Sequence, residues 1–267
     1  MVTKNDIQKK TLSIRISPNG YCFCSYTPTK PDSLRYFTYN PDIDLSLAAN
    51  IENAFASCPL TKDGEISEIK AIIESEEYTC VPAEFDNSDD YNRFFSYCFP
   101  KSSDVEIVSN KLNAYGCTML FPVEHSVYET LQQYGKVTLY TPASILMSYL
   151  AYKPIEKEQY MLAYLYNDIA FTVSIKNGKI GLANIFKREE KDNILFYLLS
   201  IWKEQGMSQT KDFLYLCGDK SIEDLSVAAG RFIKNIKRIN PNELFSPSLL
   251  NRIEGIPFDL QALILCE

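Results

Sequence analysis

Apolar and polar residues alternate in two stretches of the chain, residues 11–39 near its start and residues 159–186 just past its middle. The first stretch contains the segments TLSIRI, YCFCSY and SLRYFTY, and the second contains QYMLAYLY, IAFTVSI and KIGLANIF. A period of two puts successive side chains on opposite faces of a β-strand. Each stretch therefore predicts three strands.

Short polar segments separate these strands and predict tight turns. In the segment SPNG, residues 17–20, proline presets the backbone for a turn and the Asn-Gly pair tolerates positive φ. In the second stretch, Asn167-Asp168 is a two-residue turn pair, and Asn177-Gly178 is the strongest short hairpin signal in the chain. Both stretches therefore predict a three-stranded antiparallel meander.

Helical and strand-like segments alternate after the first meander. Leu47, Ile51 and Phe55 recur at helical spacing, with Asp44 or Ser46 as the N-cap, and predict a helix that ends before Pro59. The remaining elements of this half are two strands within residues 68–85, an aromatic helix within residues 86–100, two strands within residues 104–123 and a helix over residues 124–135.

The second half repeats this order. A short strand and a helix that begins at Pro142 join the halves within residues 136–153. The meander is followed by predicted helices over residues 188–207 and 221–236, a buried strand at residues 212–218 and an apolar, helical end of the chain. The helix at residues 221–236 starts with a capping box of Ser221 and Asp224. The pattern predicts an α/β fold with a first lobe at residues 1–135 and a second lobe at residues 136–267.

The charge balance disfavours nucleic acid as a partner. The formal net charge is -7 and the pI is near 5.0, whereas nucleic-acid binders carry a basic patch. The segment FIKNIKR, residues 232–238, is the most basic one, and its lysines fit the solvated face of a helix. The polar N-terminus has no apolar signal core, and no run reaches the ~18–20 apolar residues of a membrane span. We expect a cytoplasmic protein without membrane insertion.

Composition and motifs name no reaction. The eight cysteines have neither Cys-x-x-Cys pairs nor zinc-ligand spacing, so they predict buried thiols rather than a metal site. His125 is the only histidine, and its neighbours Glu124 and Ser126 are adjacent in the chain rather than arranged as a triad. No P-loop, Gly-x-Gly-x-x-Gly, His-Glu-x-x-His or Gly-x-Ser-x-Gly pattern occurs. We therefore predict no catalytic residue and no metal ligand from motifs alone.

Two halves of this order resemble the actin-like ATPase superfold, which includes actin, sugar kinases and heat-shock chaperones. The segment LAYLYNDIAFTVSIKNGKIGLANIF is similar to the second phosphate hairpin of the pilus-assembly branch, and FLYLCGDKS and IPFDLQALILCE resemble its adenosine strand and final helix. The chain also resembles an uncharacterised Bacteroidetes family with this fold. The resemblance implies a duplicated, ribonuclease H-like fold.

The resemblance also locates the candidate nucleotide site, because actin-like enzymes hold phosphates in two hairpin turns and use nearby acids for the cation. The family's acid-x-glycine of the first hairpin falls on residues 17–20, where Asn19 and Gly20 remain but no acid does. Its second copy falls near two tyrosines, with Asp168 the only nearby acid. Gly218 keeps one adenosine glycine, while Asp219 replaces the other. All three signatures are degraded, and ordinary turn or strand-end roles explain these residues better than ligand binding does.

Three functions follow from this pattern as hypotheses. The first is a non-hydrolysing binding or assembly module that acts through a protein partner or a homo-oligomer, as the pilus-assembly resemblance implies. The second is a divergent ATPase or kinase that binds ATP and Mg²⁺ between the lobes, through Asn19, Gly20, Asp168 and Gly218. The third is a protein that binds another small ligand in the same cleft.

Overall fold

The computed structural model describes residues 10–27, 30–62, 64–100, 104–152, 155, 157–188, 191–239 and 255–265. The strands are β1 (Lys10–Ser17), β2 (Gly20–Thr27), β3 (Lys30–Tyr39), β4 (Ile66–Ile73), β5 (Thr79–Pro82), β6 (Val105–Leu112), β7 (Cys117–Glu124), β8 (Lys136–Tyr140), β9 (Gln159–Tyr166), β10 (Ile169–Lys176), β11 (Lys179–Lys187), β12 (Phe213–Gly218) and β13 (Asn235–Arg238). The helices are α1 (Leu47–Ser57), α2 (Tyr91–Cys98), α3 (His125–Gln132), α4 (Pro142–Tyr152), α5 (Lys191–Glu204), α6 (Ile222–Ala229) and α7 (Phe258–Leu265). Of the described helices, none has the length and apolar character that a bilayer crossing requires.

The first sheet has the order β3-β2-β1-β4-β8. Its meander is antiparallel, as predicted, and β4 and β8 extend it in parallel from β1. Leu12, Ile14 and Ile16 alternate along β1 and are buried in one core with Phe55 of α1 and Leu131 of α3. The period-two pattern of the sequence thus places one face of the sheet against two helices.

The second sheet repeats this arrangement with the order β11-β10-β9-β12-β13. Its first three strands again form an antiparallel meander, and β12 and β13 are parallel additions to β9. Met161, Leu165, Leu198 and Trp202 belong to the buried core of this half. The predicted duplicated α/β fold with two mixed sheets is confirmed.

A small third sheet is inserted into the first half, with the order β5-β7-β6 and antiparallel pairing throughout. The aromatic helix α2 packs on it through Tyr91 and Phe95, which share a small core with Val81 and Leu120. The sequence predicted these strands and this helix but not their separation from the first sheet.

Helices α4 and α7 lie where the two large sheets meet. Leu146 and Leu150 of α4 and Leu260 of α7 are buried in one core with Ile72 from the first sheet and Tyr164 from the second. Both helices are apolar on nearly every side, as a helix buried all round must be. The final helix also contacts β1. The two halves therefore share a core to which both α4 and the final helix α7 contribute.

Two predicted elements differ from the structure. The helix predicted over residues 221–236 ends at Ala229, and Asn235–Arg238 is the edge strand β13, because parallel pairing with β12 outweighs the helical spacing. The predicted capping box does not form, because the Ser221 hydroxyl donates to Asp219 instead.

The strand β8 was assigned to the second lobe, but it pairs with β4 in the first sheet. A lobe division after residue 140 fits this pairing better than one after residue 135. The division itself stays a proposal.

Candidate functional site

The two predicted phosphate turns lie next to each other. Asn19 is in the turn between β1 and β2, and Asp168 is in the turn between β9 and β10. The Asn19 Nδ2 atom donates a hydrogen bond to Asp168 Oδ2 at 2.6 Å, across 149 residues of sequence. Two of the four residues predicted from the sequence are thus brought together, but they bind each other. Gly20 begins β2 beside this contact, and its carbonyl accepts from the Ser17 hydroxyl at 2.9 Å.

A buried arginine lies behind the first turn. Arg15 on β1 is 1% exposed, and its Nε atom donates to Asp259 Oδ2 of α7 at 2.8 Å. Its Nη2 atom donates to Glu74 Oε2, directly after β4, at 2.7 Å. The guanidinium carbon also lies 4.2 Å from the centroid of the Tyr166 ring on β9. This cluster of Arg15, Glu74, Asp259 and Tyr166, which we name the junction cluster, connects both lobes and the final helix.

The charges of the junction cluster are coupled. Burial alone would lower the pKa of Arg15, but Asp259, Tyr164 and Glu74 together raise it well above its ordinary value, so the guanidinium stays charged. Burial raises the pKa of Glu74, and the opposing effect of Arg15 is smaller. The negative charge of Asp259 also raises the pKa of Glu74, because two carboxylates share one guanidinium.

The adenosine-strand residues have structural roles of their own. Gly218 ends β12 with φ of 127°, and an added Cβ would lie 1.8 Å from the Leu165 carbonyl oxygen. Asp219 Oδ2 accepts from the Asn167 N–H at 3.1 Å and from Arg188 Nη1 at 2.9 Å. Only glycine permits this close approach of two strand ends. Gly218 thus has a structural role at the ends of β9 and β12, and Asp219, which replaces the second adenosine glycine, is engaged by Asn167 and Arg188.

Two cavities lie near the junction cluster, one on each lobe. One of about 610 Å³ lies on the first lobe and is lined by acidic and apolar side chains, including Asp42, Glu74 and Glu124. The other, of about 430 Å³, lies on the second lobe and is lined by Arg188, Lys220 and apolar side chains of α5 and α6. Among the described residues, no group of three or more His, Cys, Asp or Glu side chains is arranged to hold a metal ion.

Sequence reasoning missed Arg15, Glu74 and Asp259 as site residues. A signal was present for Asp259, which stands in the otherwise apolar helix FDLQALIL, whereas Arg15 lies on the polar side of β1 and follows the ordinary alternation of the strand. A buried charge requires a partner, so the position of Asp259 in this helix indicated an ionic contact. Their mutual contact depends on the fold.

Comparison with known proteins agrees with this architecture. The chain belongs to the family described as "Protein of unknown function (DUF3822)", whose model matches residues 2–236. A Bacteroides thetaiotaomicron protein with an actin-like ATPase fold and unknown function is 26% identical, with 100% of both chains covered and a TM-score of 0.82. A chain of the PilM-PilN type IV pilus biogenesis complex is 14% identical, with 96% of this chain and 98% of that chain covered and a TM-score of 0.63. No curated protein matches the chain.

The predicted resemblance to the actin-like superfold and to an uncharacterised family is thereby confirmed. The chain has the actin-like ATPase fold.

Proposed function

We propose that this protein is a non-hydrolysing binding or assembly module built on the actin-like fold. The observation that carries the proposal is the junction cluster, in which Arg15 donates to Glu74 at 2.7 Å and to Asp259 at 2.8 Å. Arg15 lies two residues before the turn of residues 17–20, where the resemblance puts the first phosphate turn. The guanidinium of Arg15 is already paired with two carboxylates of the same chain and is not free to bind a phosphate.

Three further donors near the junction cluster are also engaged. The Asn19 amide donates to Asp168, the Asn167 N–H donates to Asp219, and Arg188 donates to the same carboxylate. A phosphate site needs several free N–H groups and a positive local field. The first-lobe cavity instead has the carboxylates of Asp42, Glu74 and Glu124. This charge disfavours a triphosphate at that edge of the sheet.

A protein partner is the kind of ligand that the relatives suggest. A protein of the same fold is present in the PilM-PilN complex. We propose that this chain likewise acts through a protein partner or as a homo-oligomer. The seven cysteines within the described residues are free thiols, which fits a reducing compartment, and we propose the cytoplasm.

A divergent ATPase or kinase is the second candidate, and the second-lobe cavity is the observation that favours it. The cavity of about 430 Å³ is lined by Lys220, Ser221, Asp224 and Arg188, the last of which also pairs with Asp219, beside an apolar wall. Such a lining suits an anionic ligand with an apolar part. In that case Asn19, Gly20, Asp168 and Gly218 remain the nearest candidates for contacts with the phosphates.

Nucleotide titration separates the two candidates. We expect no thermal shift with Mg-ATP or ADP and no phosphate release above background. A nucleotide present at 100 times its Kd would stabilise the fold by about 2.7 kcal/mol, and a thermal-shift measurement detects a change of this size readily. Phosphate release that disappears in the Asp168→Ala variant would overturn the proposal and support the ATPase. A thermal shift without phosphate release would be consistent with a non-hydrolysing module that binds a nucleotide.

A further inference from the structure

A loop on the first lobe presents an aliphatic side chain to solvent among acidic neighbours. The acidic loop, residues 41–46, connects β3 to α1 and has the sequence PDIDLS. Ile43 is 97% exposed and Leu45 is 41% exposed, between and beside Asp42 and Asp44. Ile43 is the most exposed large apolar side chain among the described residues. Exposed apolar groups of this kind commonly mark a contact surface.

The acidic loop is held in this conformation by a buried polar side chain. Asn50 of α1 is 3% exposed, and its Oδ1 atom accepts from the Asp42 N–H at 2.7 Å. Its Nδ2 atom donates to the carbonyl oxygens of Asp42, Leu45 and Ser46 at 2.8, 3.3 and 3.2 Å. A buried amide with four contacts to one loop fixes the backbone of that loop. Ile43 is therefore held outward by the fold.

The cavity beside the acidic loop is lined by acidic side chains, of which Glu74 is paired with the buried Arg15. The first-lobe cavity of about 610 Å³ lies beside the loop and is lined by Asp42, Glu74 and Glu124 together with Ile43 and Leu45. No lysine or arginine occurs among its described lining residues. The complementary surface must therefore be basic and must offer an apolar contact of its own.

A surface of that description exists on the second lobe. The basic segment, residues 231–238, has the sequence RFIKNIKR, contains no acid and ends in the edge strand β13. Its side chains Arg231, Lys234, Lys237 and Arg238 are exposed. Phe232 is 45% exposed in their midst. Arg238 pairs with Glu223 at 3.3 Å, and the Lys237 Nζ atom lies 5.4 Å from the centroid of the Phe213 ring.

We propose that the acidic loop of one molecule docks on the basic segment of a second copy of this chain. Ile43 and Leu45 contact Phe232, and Asp42 and Asp44 face Lys234 and Lys237. The inference rests on the proposed assembly role and names the partner for it. The two surfaces are different parts of one chain, so the contact is heterologous and extends into a chain of molecules unless its geometry closes a ring.

Sedimentation velocity over a range of protein concentrations tests the contact. We expect the wild-type protein to self-associate, and to do so less at high salt, because exposed charges are screened. Ile43→Asp should weaken association by about tenfold or more, since it replaces the apolar contact with Phe232 by a charged carboxylate that must be desolvated. The matched control is Tyr97→Asp on α2, another first-lobe position that is 77% exposed, and it should associate like wild type.

Mixing two defective variants tests the heterologous geometry. Ile43→Asp retains an intact basic segment, and Lys234→Glu with Lys237→Glu retains an intact acidic loop. At a concentration where each variant alone is monomeric, the mixture should form a 1:1 dimer that grows no further. A monomeric wild type, equal association of the Ile43→Asp and Tyr97→Asp variants, or a mixture that stays monomeric would each overturn the proposal. Circular dichroism melts of every variant show that the fold is retained.

Phosphate release from Mg-ATP, measured on the same samples, keeps the two proposals apart. If the protein releases phosphate and its association also depends on Ile43, the non-hydrolysing role is refuted and the proposed contact is supported. Absence of both turnover and association removes the contact and leaves the non-hydrolysing module with another partner.

Discussion

The two large sheets repeat one strand order but end their equivalent central strands differently. In the first lobe, β4 is followed by Glu74, which binds Arg15 in a contact with side chains 8% and 1% exposed. In the second lobe, β12 is followed by Asp219, which binds Arg188 with side chains 31% and 18% exposed. The first ionic contact is buried and the second is partly solvated, although both occupy the same position in a duplicated fold.

The difference teaches how the halves are joined. Arg15 also binds Asp259, which is 244 residues away in sequence, so the first-lobe cluster holds the final helix against β1. Asp219 binds Arg188 and the Asn167 N–H, and both belong to its own lobe. A buried charge that loses its partner is costly, whereas a solvated pair contributes little. The comparison therefore predicts unequal responses to mutation at equivalent positions.

The largest expected effect comes from removing Asp259. Asp259→Ala leaves the buried guanidinium of Arg15 with one carboxylate in place of two, and we expect a loss of about 3–5 kcal/mol in the free energy of unfolding. Urea unfolding followed by the fluorescence of the single tryptophan measures it. Glu223→Ala, which removes the exposed partner of Arg238, is the control and should cost at most about 1 kcal/mol. Equal losses in the two variants would refute the distinction between buried and solvated pairs.

Local patterns explain why the sequence predicted the meanders and missed the junction. Strand period and Asn-Gly turns act within a few residues, so TLSIRI and IKNGKI were sufficient for them. The edge strand β13 was predicted as a helix because IKNIKR has no strand pattern of its own and becomes a strand by pairing with β12. Asn19 and Asp168 were identified as turn residues, but their contact spans 149 residues. Such contacts are properties of the folded chain.

Gly218 gives the second-largest expected effect. Gly218→Ala would place a Cβ 1.8 Å from the Leu165 carbonyl oxygen at φ of 127°, so the backbone must move. We expect a loss of about 2–3 kcal/mol. Gly178→Ala is the matched control, because Gly178 also has positive φ, at 74°, but has no heavy atom within 4 Å of an added Cβ. Its cost should be nearer about 1 kcal/mol.

The same unfolding measurement compares the two glycine variants. A Gly218→Ala variant as stable as Gly178→Ala would mean that the ends of β9 and β12 separate easily. In that case the second lobe could open a space for a nucleotide at Gly218, and the ATPase candidate would gain support.

The smallest effect concerns pH, and it has opposite signs in the two lobes. Burial raises the pKa of Glu74 above its ordinary 4.5, so the stability that this group contributes is fully present below pH 4.5 and is lost as pH rises through the folded-state pKa. Burial also acts to raise the pKa of Asp219, but its hydrogen bonds with Ser221 and Arg188 outweigh burial and lower the pKa below 3.8. The stability from Asp219 is therefore present above pH 3.8 and is lost as pH falls through the folded-state pKa.

Unfolding free energies of wild type, Glu74→Gln and Asp219→Asn between acid and neutral pH would resolve the two signs. The advantage of wild type over Glu74→Gln should shrink as pH rises above 4.5. The advantage over Asp219→Asn should shrink as pH falls below 3.8, and it should stay below about 1 kcal/mol because Asp219 is partly solvated. Parallel pH profiles for the two variants would show that both lobes hold their carboxylates in the same way. The buried first-lobe cluster would then behave like an ordinary surface pair, and its proposed exclusion of phosphate would lose its physical basis.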